Sequence, residues 1–377
     1  MKKIGLLLMS IIPLATWSQQ QFTISGSVRD VQLEVNKVYI SYASNGLNVL
    51  DSTNVSGGRY SFQGLITQPT RVDLRAKYKN GETTVVSRDL ITLFVEPSQI
   101  SIDSKDSFSN ATISGSSVNI EFQKLQAAAK PFEPRTSALL KEIDRYKKQK
   151  NESALEQAQK QMDQLNAEMK EAVYANYIRQ NPSSPLAFFA LQQFSGAIIP
   201  NPKESLELFN LLSEKMKTSH DGQRMQSLIQ RSIRASVGNS EIDFSQTDIN
   251  GNTITLSSLK GKTVLINFWA SWCGPCRALD PKLIQLYNRF KDNDFTIINV
   301  SLDKPGAKQD WLDAVKESGI GIYPQVSDLR FWNNAAAQAY GVAALPQNIL
   351  IDAQGTIAGR NLKPVELAEK IASLTKK

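Results

Sequence analysis

The sequence predicts a multidomain chain: an N-terminal antiparallel β-sandwich-like domain, a helical middle region and a C-terminal α/β domain. Three observations carry this reading. Residues 20–115 alternate apolar and polar letters in short runs, residues 118–236 repeat apolar letters at helical spacing, and beyond 239 strand-like and helix-like stretches take turns. A length of 377 residues suits two or three domains. The pattern shifts divide it into a leader at 1–18, a β-rich domain at 19–116, a helical region at 117–238 and an α/β domain at 239–377.

The leader reads MKKIGLLLMSIIPLATWSQQQ. Lys2 and Lys3 precede an apolar stretch from Ile4 to Leu14, and the small residues Ala15, Thr16 and Ser18 follow. That is the plan of a secretory signal peptide cleaved near 15–18, with an uncleaved N-terminal anchor as the alternative. No Cys follows the apolar run, which disfavours a lipid anchor, and no later window is apolar for long enough to span a bilayer. The expected location is therefore periplasmic or otherwise exported, an oxidising setting for thiols. A hydrophobic share of 41% and a charged share of 21% describe folded material. The net charge is +7, but residues 241–377 carry 15 Lys+Arg against 14 Asp+Glu, so the basic excess lies upstream. No tight Lys/Arg run with interleaved aromatics is present, and nucleic acid is not an expected partner.

The strand candidates are FTISGSVRD, KVYISYA, NVLDSTNV, RYSFQGL, TRVDLRAKY, LITLFVE and SQISIDS, punctuated by Asn45-Gly46, Gly57-Gly58 and Asn80-Gly81. Short strands at regular spacing predict a sandwich or small barrel. The helical candidates run from NIEFQKLQAAAK to GQRMQSLIQRSIRA. In the longest, 152–180, Leu155, Ala158, Met162, Leu165, Met169 and Ala172 form a heptad-like seam that stops at Asn176. The seam suits either a homodimer or an internal hairpin with the helix at 136–149. Prolines at 182, 185, 200 and 202 mark the later helix boundaries.

After VGNSEIDF comes a hairpin around Asn250-Gly251, and then Thr263–Trp269 (TVLINFW), a nearly continuous apolar run expected at the middle of a sheet covered on both faces. A helix at Pro275–Phe290, a strand at Phe295–Ser301, helices at Lys308–Ser318 and Ala335–Tyr340, strands at Gln347–Ile351 and Thr356–Arg360 and a helix at Pro364–Leu374 complete the pattern.

Both cysteines of the chain lie in FWASWCGPCRALDP. Such a pair can be a redox couple, half of a metal site or an incidental disulfide. Zinc needs about four ligands, and the chain has two Cys and one distant His, His220. Haem attachment needs a His after the second Cys, where Arg277 stands. A ring this small constrains the unfolded chain little, so a purely structural disulfide gains little. Placed between a buried strand and a helix, Cys273 would meet unpaired backbone N–H groups that favour its thiolate, the attacking species in disulfide exchange. Cys276 would then resolve the mixed disulfide. Pro275 suits an early helical position, and Gly274 lets a substrate chain come close. No metal or other cofactor is expected beyond the Cys273–Cys276 disulfide itself.

The run FWASWCGPC, with Trp269, Trp272, Cys273, Gly274, Pro275 and Cys276, resembles the thioredoxin superfamily. DFSQTDINGNTITLSSLKGKTVLINFWASWCGPC narrows the likeness to its exported branch, which includes TlpA, ResA and the cytochrome c maturation thioredoxins. The likeness covers about 240–377. Upstream, VLDSTNVSGGRYSFQGLITQPTRVDL resembles β-domains of unknown function found ahead of thioredoxin-like domains in secreted bacterial proteins. The resemblance implies a thioredoxin fold at the C-terminus and a thiol–disulfide oxidoreductase that reduces or isomerises disulfides in exported proteins. Its partners would be protein thiols and disulfides and a membrane electron donor. It also implies a cis-proline facing the dithiol, at Pro346 in GVAALPQNILID, with the backbone of Leu345 pairing to substrate and Trp269 near it.

Two departures concern protons. Thioredoxin proper has an aspartate just before its Phe-Trp-Ala run, where Asn267 stands here; several exported relatives carry a Glu three residues after the second cysteine, where Leu279 stands here. Asp280, one helical step round, is expected to face solvent ahead of Pro281. The rival reading is a partner-binding envelope protein that uses its β and helical regions and keeps the last domain as a scaffold.

Overall fold

A computed structural model describes residues 20–30, 34–44, 47–79 and 89–375. The leader and the turns at Asn45-Gly46 and Asn80-Gly81 lie outside the described residues. Two compact units result: one runs to Met169 and includes Ser184–Leu186, and the other comprises Lys170–Ser183 and the chain from Ala187.

The first unit starts with eight strands: β1 (Gln20–Arg29), β2 (Val35–Ser44), β3 (Leu47–Asn54), β4 (Arg59–Ile66), β5 (Thr70–Tyr78), β6 (Leu90–Val95), β7 (Gln99–Lys105) and β8 (Ala111–Ser114). They form two four-stranded sheets, ordered β4-β1-β7-β8 and β3-β2-β5-β6. Period-two alternation turns Val72, Leu74 and Ala76 of β5 and Phe22 and Ile24 of β1 into one shared apolar core. The sandwich is not wholly antiparallel, because β1 and β7 pair in parallel. Strand alternation has the same period in either direction, so direction is decided by long-range pairing. Strand β8, too short and half-exposed to stand out in the sequence, closes the edge.

Helix α1 (Ser117–Ala129) begins at Ser116, whose side chain accepts the Asn119 N–H. Asn119 in turn bonds both the N–H and the C=O of Phe94 in β6, while Phe122 packs edge-on to the Phe94 ring. Helices α2 (Glu133–Lys148) and α3 (Glu152–Met169) fold back on each other, with Arg135 bidentate to Glu168. Ala158 and Leu165 of the heptad-like seam are thus buried within the chain.

In the second unit Lys170–Ala175 form a π turn, which leaves Ala172 exposed and buries Val173 and Ala175 instead. That one-residue shift ends the seam earlier than its spacing suggests. Helices α4 (Asn176–Gln180), α5 (Ala187–Ser195), α6 (Pro202–Leu211), α7 (Glu214–Lys217) and α8 (His220–Arg234) follow. Apolar residues of α4, α5, α6 and α8 share a core that includes Ile178, Leu191, Leu208 and Ile229. The helical region therefore divides between the two units: α1 bonds the sandwich and α8 bonds the sheet described next.

That sheet has seven strands: β9 (Ser245–Asp248), β10 (Thr253–Thr255), β11 (Thr263–Trp269), β12 (Phe295–Ser301), β13 (Gln325–Ser327), β14 (Gln347–Ile351) and β15 (Ile357–Arg360), in the order β10-β9-β13-β12-β11-β14-β15. β11 lies in its interior beside the central β12, parallel to β12 and antiparallel to β14, and all seven of its residues are buried. One face packs α10 (Asp280–Phe290), α11 (Lys308–Ser318) and α13 (Pro364–Leu374); the other packs α12 (Ala335–Ala339) and the end of α8. Arg360 of β15 donates to Ser232 O at 3.1 Å and Tyr340 O at 3.3 Å, tying α8 and α12 to the sheet edge. This is the α/β architecture that the strand–helix alternation predicts, in the thioredoxin-like form that the resemblance implies.

The helix expected over Pro275–Phe290 is two: α9 (Gly274–Arg277) and α10. Pro281 lacks the N–H that an unbroken helix would donate, so the turn at Ala278–Leu279 separates them. Among the described residues no helix is long and apolar enough to cross a membrane.

Candidate active site

Strand β11 delivers the site. Its last residue, Trp269, is fully buried in the core, and Ala270 and Ser271 carry the chain out to Trp272, which is 49% exposed. Ser271 is held by the buried carboxylate of Asp303 through its backbone N–H at 3.1 Å and its hydroxyl at 2.6 Å. Cys273 then caps α9: its Sγ accepts the Cys276 N–H at 3.2 Å, and Pro275 sits in the first turn. Cys273 and Cys276 are disulfide-bonded, with their Cα atoms 5.3 Å apart. Both belong to the buried cluster of Trp269, Leu283, Tyr323 and Leu350, and Cys273 is slightly the more exposed of the two. The Leu345–Pro346 peptide bond is cis, and both residues are half-buried ahead of β14.

Trp269, expected beside substrate, cannot touch one, because at 0% exposure it lies under the dithiol as core. In a strand covered on both faces, letters alone do not say which aromatic emerges. Trp272 is the one that does. It meets Phe331 and Trp332 with ring centroids 5.7 and 6.2 Å away.

Comparison with known proteins gives two family matches. Residues 237–360 match the AhpC/TSA family and residues 22–122 match a domain of unknown function, DUF4369. The thiol–disulfide oxidoreductase ResA of Bacillus thuringiensis subsp. konkukian (strain 97-27) is 30% identical over 146 residues, spanning 37% of this chain and 78% of that protein. ResA of Bacillus subtilis (strain 168) is 34% identical over 122 residues, covering 32% of this chain and 65% of that protein. Among solved structures, the C-terminal domain of a thiol–disulfide oxidoreductase from Bacteroides thetaiotaomicron is 33% identical, covers 38% of this chain and 97% of its own, and has a TM-score of 0.36. The chain belongs to the ResA family of thiol–disulfide oxidoreductases.

In this oxidoreductase Asn267, in the strand that leads to the dithiol, is one of a bonded pair of amides. Asn267 of β11 donates from Nδ2 to Asn299 Oδ1 of the neighbouring β12 at 2.9 Å, and both are buried. Asn299 Nδ2 has no acceptor among the described residues. The carboxylate that the sequence places at the surface is not there: Asp280 is only 2% exposed, and its Oδ2 lacks a donor among the described residues. Pro281 breaks the helix at this point and the first turn of α10 dips towards the end of α11, carrying Asp280 inward. Burial raises its pKa above the ordinary carboxylate value, against the opposing pull of a Ser318 hydrogen bond and the Arg277 charge. Burial, and then the Asp280 charge, push Tyr323 up as well.

Phe331, Trp332 and Asp280 were not singled out as site residues from the sequence. Two adjacent aromatics in the polar loop RFWNN, and an acid directly before a helix-breaking proline, were the available signals. Among the described residues no group of three or more His, Cys, Asp or Glu is placed to hold a metal ion.

Proposed function

We propose that this oxidoreductase is exported and reduces or isomerises disulfides in other exported proteins, with Cys273 as the attacking thiolate and Cys276 as the resolver. The carrying observation is the Cys276 N–H directed at the Cys273 Sγ at the start of α9, which favours negative charge on that sulfur. Cys273 attacks one sulfur of a substrate disulfide, forming a mixed disulfide and releasing the other sulfur as thiolate. Cys276 then attacks Cys273 Sγ, releasing the second substrate sulfur and closing the Cys273–Cys276 bond. Two electrons pass to the substrate, and the two protons of the enzyme thiols end on its thiols.

Trp272, Gly274, Pro275 and Pro346 shape the approach, and the half-buried Leu345 backbone supplies a strand edge for the substrate. The leader of residues 1–18 directs export, and a membrane donor re-reduces the pair. A homodimer through 152–180 would have to use faces of α3 other than Ala158 and Leu165, which are already covered.

Replacing Cys276 by Ala leaves the mixed disulfide unresolved. Dithiothreitol-sensitive adducts on non-reducing gels are therefore expected from cells carrying that variant. Their absence under every growth condition, or their persistence when Cys273 is also replaced, would sink the assignment.

A further inference from the structure

The aromatic group beside the dithiol is a held ridge. Phe331 has a left-handed backbone, φ 54°, its N–H donates to Asp303 O at 3.1 Å, and its ring meets that of Trp332 edge-on at 5.7 Å. Asp328 accepts the N–H groups of Arg330 and Ala335 and the Asn334 side chain, which closes the loop that carries both rings. With Trp272, these rings separate two hollows.

On the α11 side lies one of about 760 Å³, lined by Trp272, Arg277, Lys304, Asp310, Asp313 and Glu317 among others. Arg277 is balanced by Glu317 at 2.8 Å, whereas Lys304, 5.3 Å over the Phe331 ring, keeps its charge. Asp310 and Asp313 are exposed and have no ion-pair partner among the described residues; Asp313 accepts only the neutral Gln309 amide. Lys304 offsets one of these carboxylates, and the hollow keeps a negative excess.

On the other side lies one of about 590 Å³ between α8 and the segment leading to Pro346, lined by Arg224, Leu228, Arg231, Trp332, Val342 and Ala343 among others. Arg231 bonds Gln338 and Ser227, neutral partners that leave its charge uncompensated. Arg224 is exposed with no ion-pair partner among the described residues, and Asp221 at the rim offsets one of the two. This hollow keeps a positive excess. Helix α8 belongs to the upstream helical region, so that region supplies a wall beside the segment that ends at Pro346.

We propose that the cleft selects a polypeptide whose charge is polarised about its disulfide, with Lys or Arg side chains lying against α11 and Asp or Glu side chains lying against α8. This rests on the reading of Cys273 and Cys276 as acting on substrate disulfides. Complementary charge placed astride the ridge fixes which way the substrate chain runs past Cys273, a role that electrostatics fills better than raw affinity.

The test uses the pre-reduced full chain and two disulfide-linked peptides of identical composition, one with Lys before and Glu after its cysteine and the other reversed. Wild type is expected to reduce one of them about two- to fivefold faster per engaged charge pair, with the preference fading at high salt. The R224E/D310K/D313K variant is expected to invert the preference. Equal rates on both peptides in wild type, or an equal loss on both in the variant, would overturn the polarised cleft. Failure of wild type to reduce even uncharged bis(2-hydroxyethyl) disulfide would remove the underlying function with it, which separates the two failures.

Discussion

In β5 of the sandwich, buried Val72, Leu74, Ala76 and Tyr78 alternate with Arg71, Asp73, Arg75 and Lys77 on the outer face, whereas in β11 of the seven-stranded sheet every residue from Thr263 to Trp269 is buried. The two regions also differ in what else they enclose. The sandwich core is almost wholly apolar, and its buried acid Asp89 is satisfied by Tyr78 Oη and the N–H groups of Phe108 and Ser109. In the unit of the seven-stranded sheet, buried Asn299, Asp280, Tyr323, Gln325 and Gln347 each keep a polar atom without a partner among the described residues. A fold maximising stability satisfies or avoids such groups. Among the described residues such atoms are more numerous in the unit that carries the disulfide, while in the sandwich Tyr60 Oη is one.

Three substitutions sharpen or break that contrast. The largest effect is expected from Leu74→Ala, which removes a fully buried side chain at the centre of its sheet. It should lower the stability of the sandwich by about 2–5 kcal/mol while leaving the disulfide-exchange rate of the Cys273–Cys276 pair unchanged. Denaturant unfolding and single-turnover exchange on the same sample measure both, and a parallel fall in exchange rate would show that the two regions are not independent.

Next is Asn267→Leu, which deprives buried Asn299 Oδ1 of its donor and should cost about 1–3 kcal/mol. The double variant Asn267→Leu/Asn299→Leu should lose less than the two singles combined, because it leaves no orphaned amide. Strict additivity in that cycle would mean that the amide pair contributes nothing as a pair.

Asp280→Asn has the smallest effect, and its sign depends on pH. The Asp280 pKa is raised by burial, so the folded chain favours the protonated form. Its contribution is fully present below the unfolded pKa and is lost as pH rises through the folded pKa. The Asn variant should therefore match wild type in acid and become the more stable of the two towards neutral pH. Denaturation midpoints compared at both pH values read this directly; a pH-independent difference would mean that Asp280 does not titrate as a buried acid.

The sequence was most legible where periodicity and composition agree. Thr263–Trp269, Phe295–Ser301, Lys308–Ser318 and Pro364–Leu374 fall where their patterns place them. The alternating strands of the sandwich do too, because each face has one environment and the letters record it. Less legible were β13, three buried residues with the polar-looking letters Gln-Val-Ser, and β8, a four-residue edge. Both are strands only because β12 and β9, or β7, stand beside them.

By itself the sequence determined the class of each region, the central buried strand and the two cysteines that define the redox centre, since these follow from local spacing and side-chain chemistry. Only the tertiary structure decided that β1 and β7 run parallel, that Trp269 is core while Trp272 meets solvent, that Asp280 is drawn inward at the break before Pro281, and that α8 lies along the segment before Pro346. Each of these depends on which distant residue occupies the space alongside, and a local pattern carries the need for burial or pairing without naming the partner that meets it.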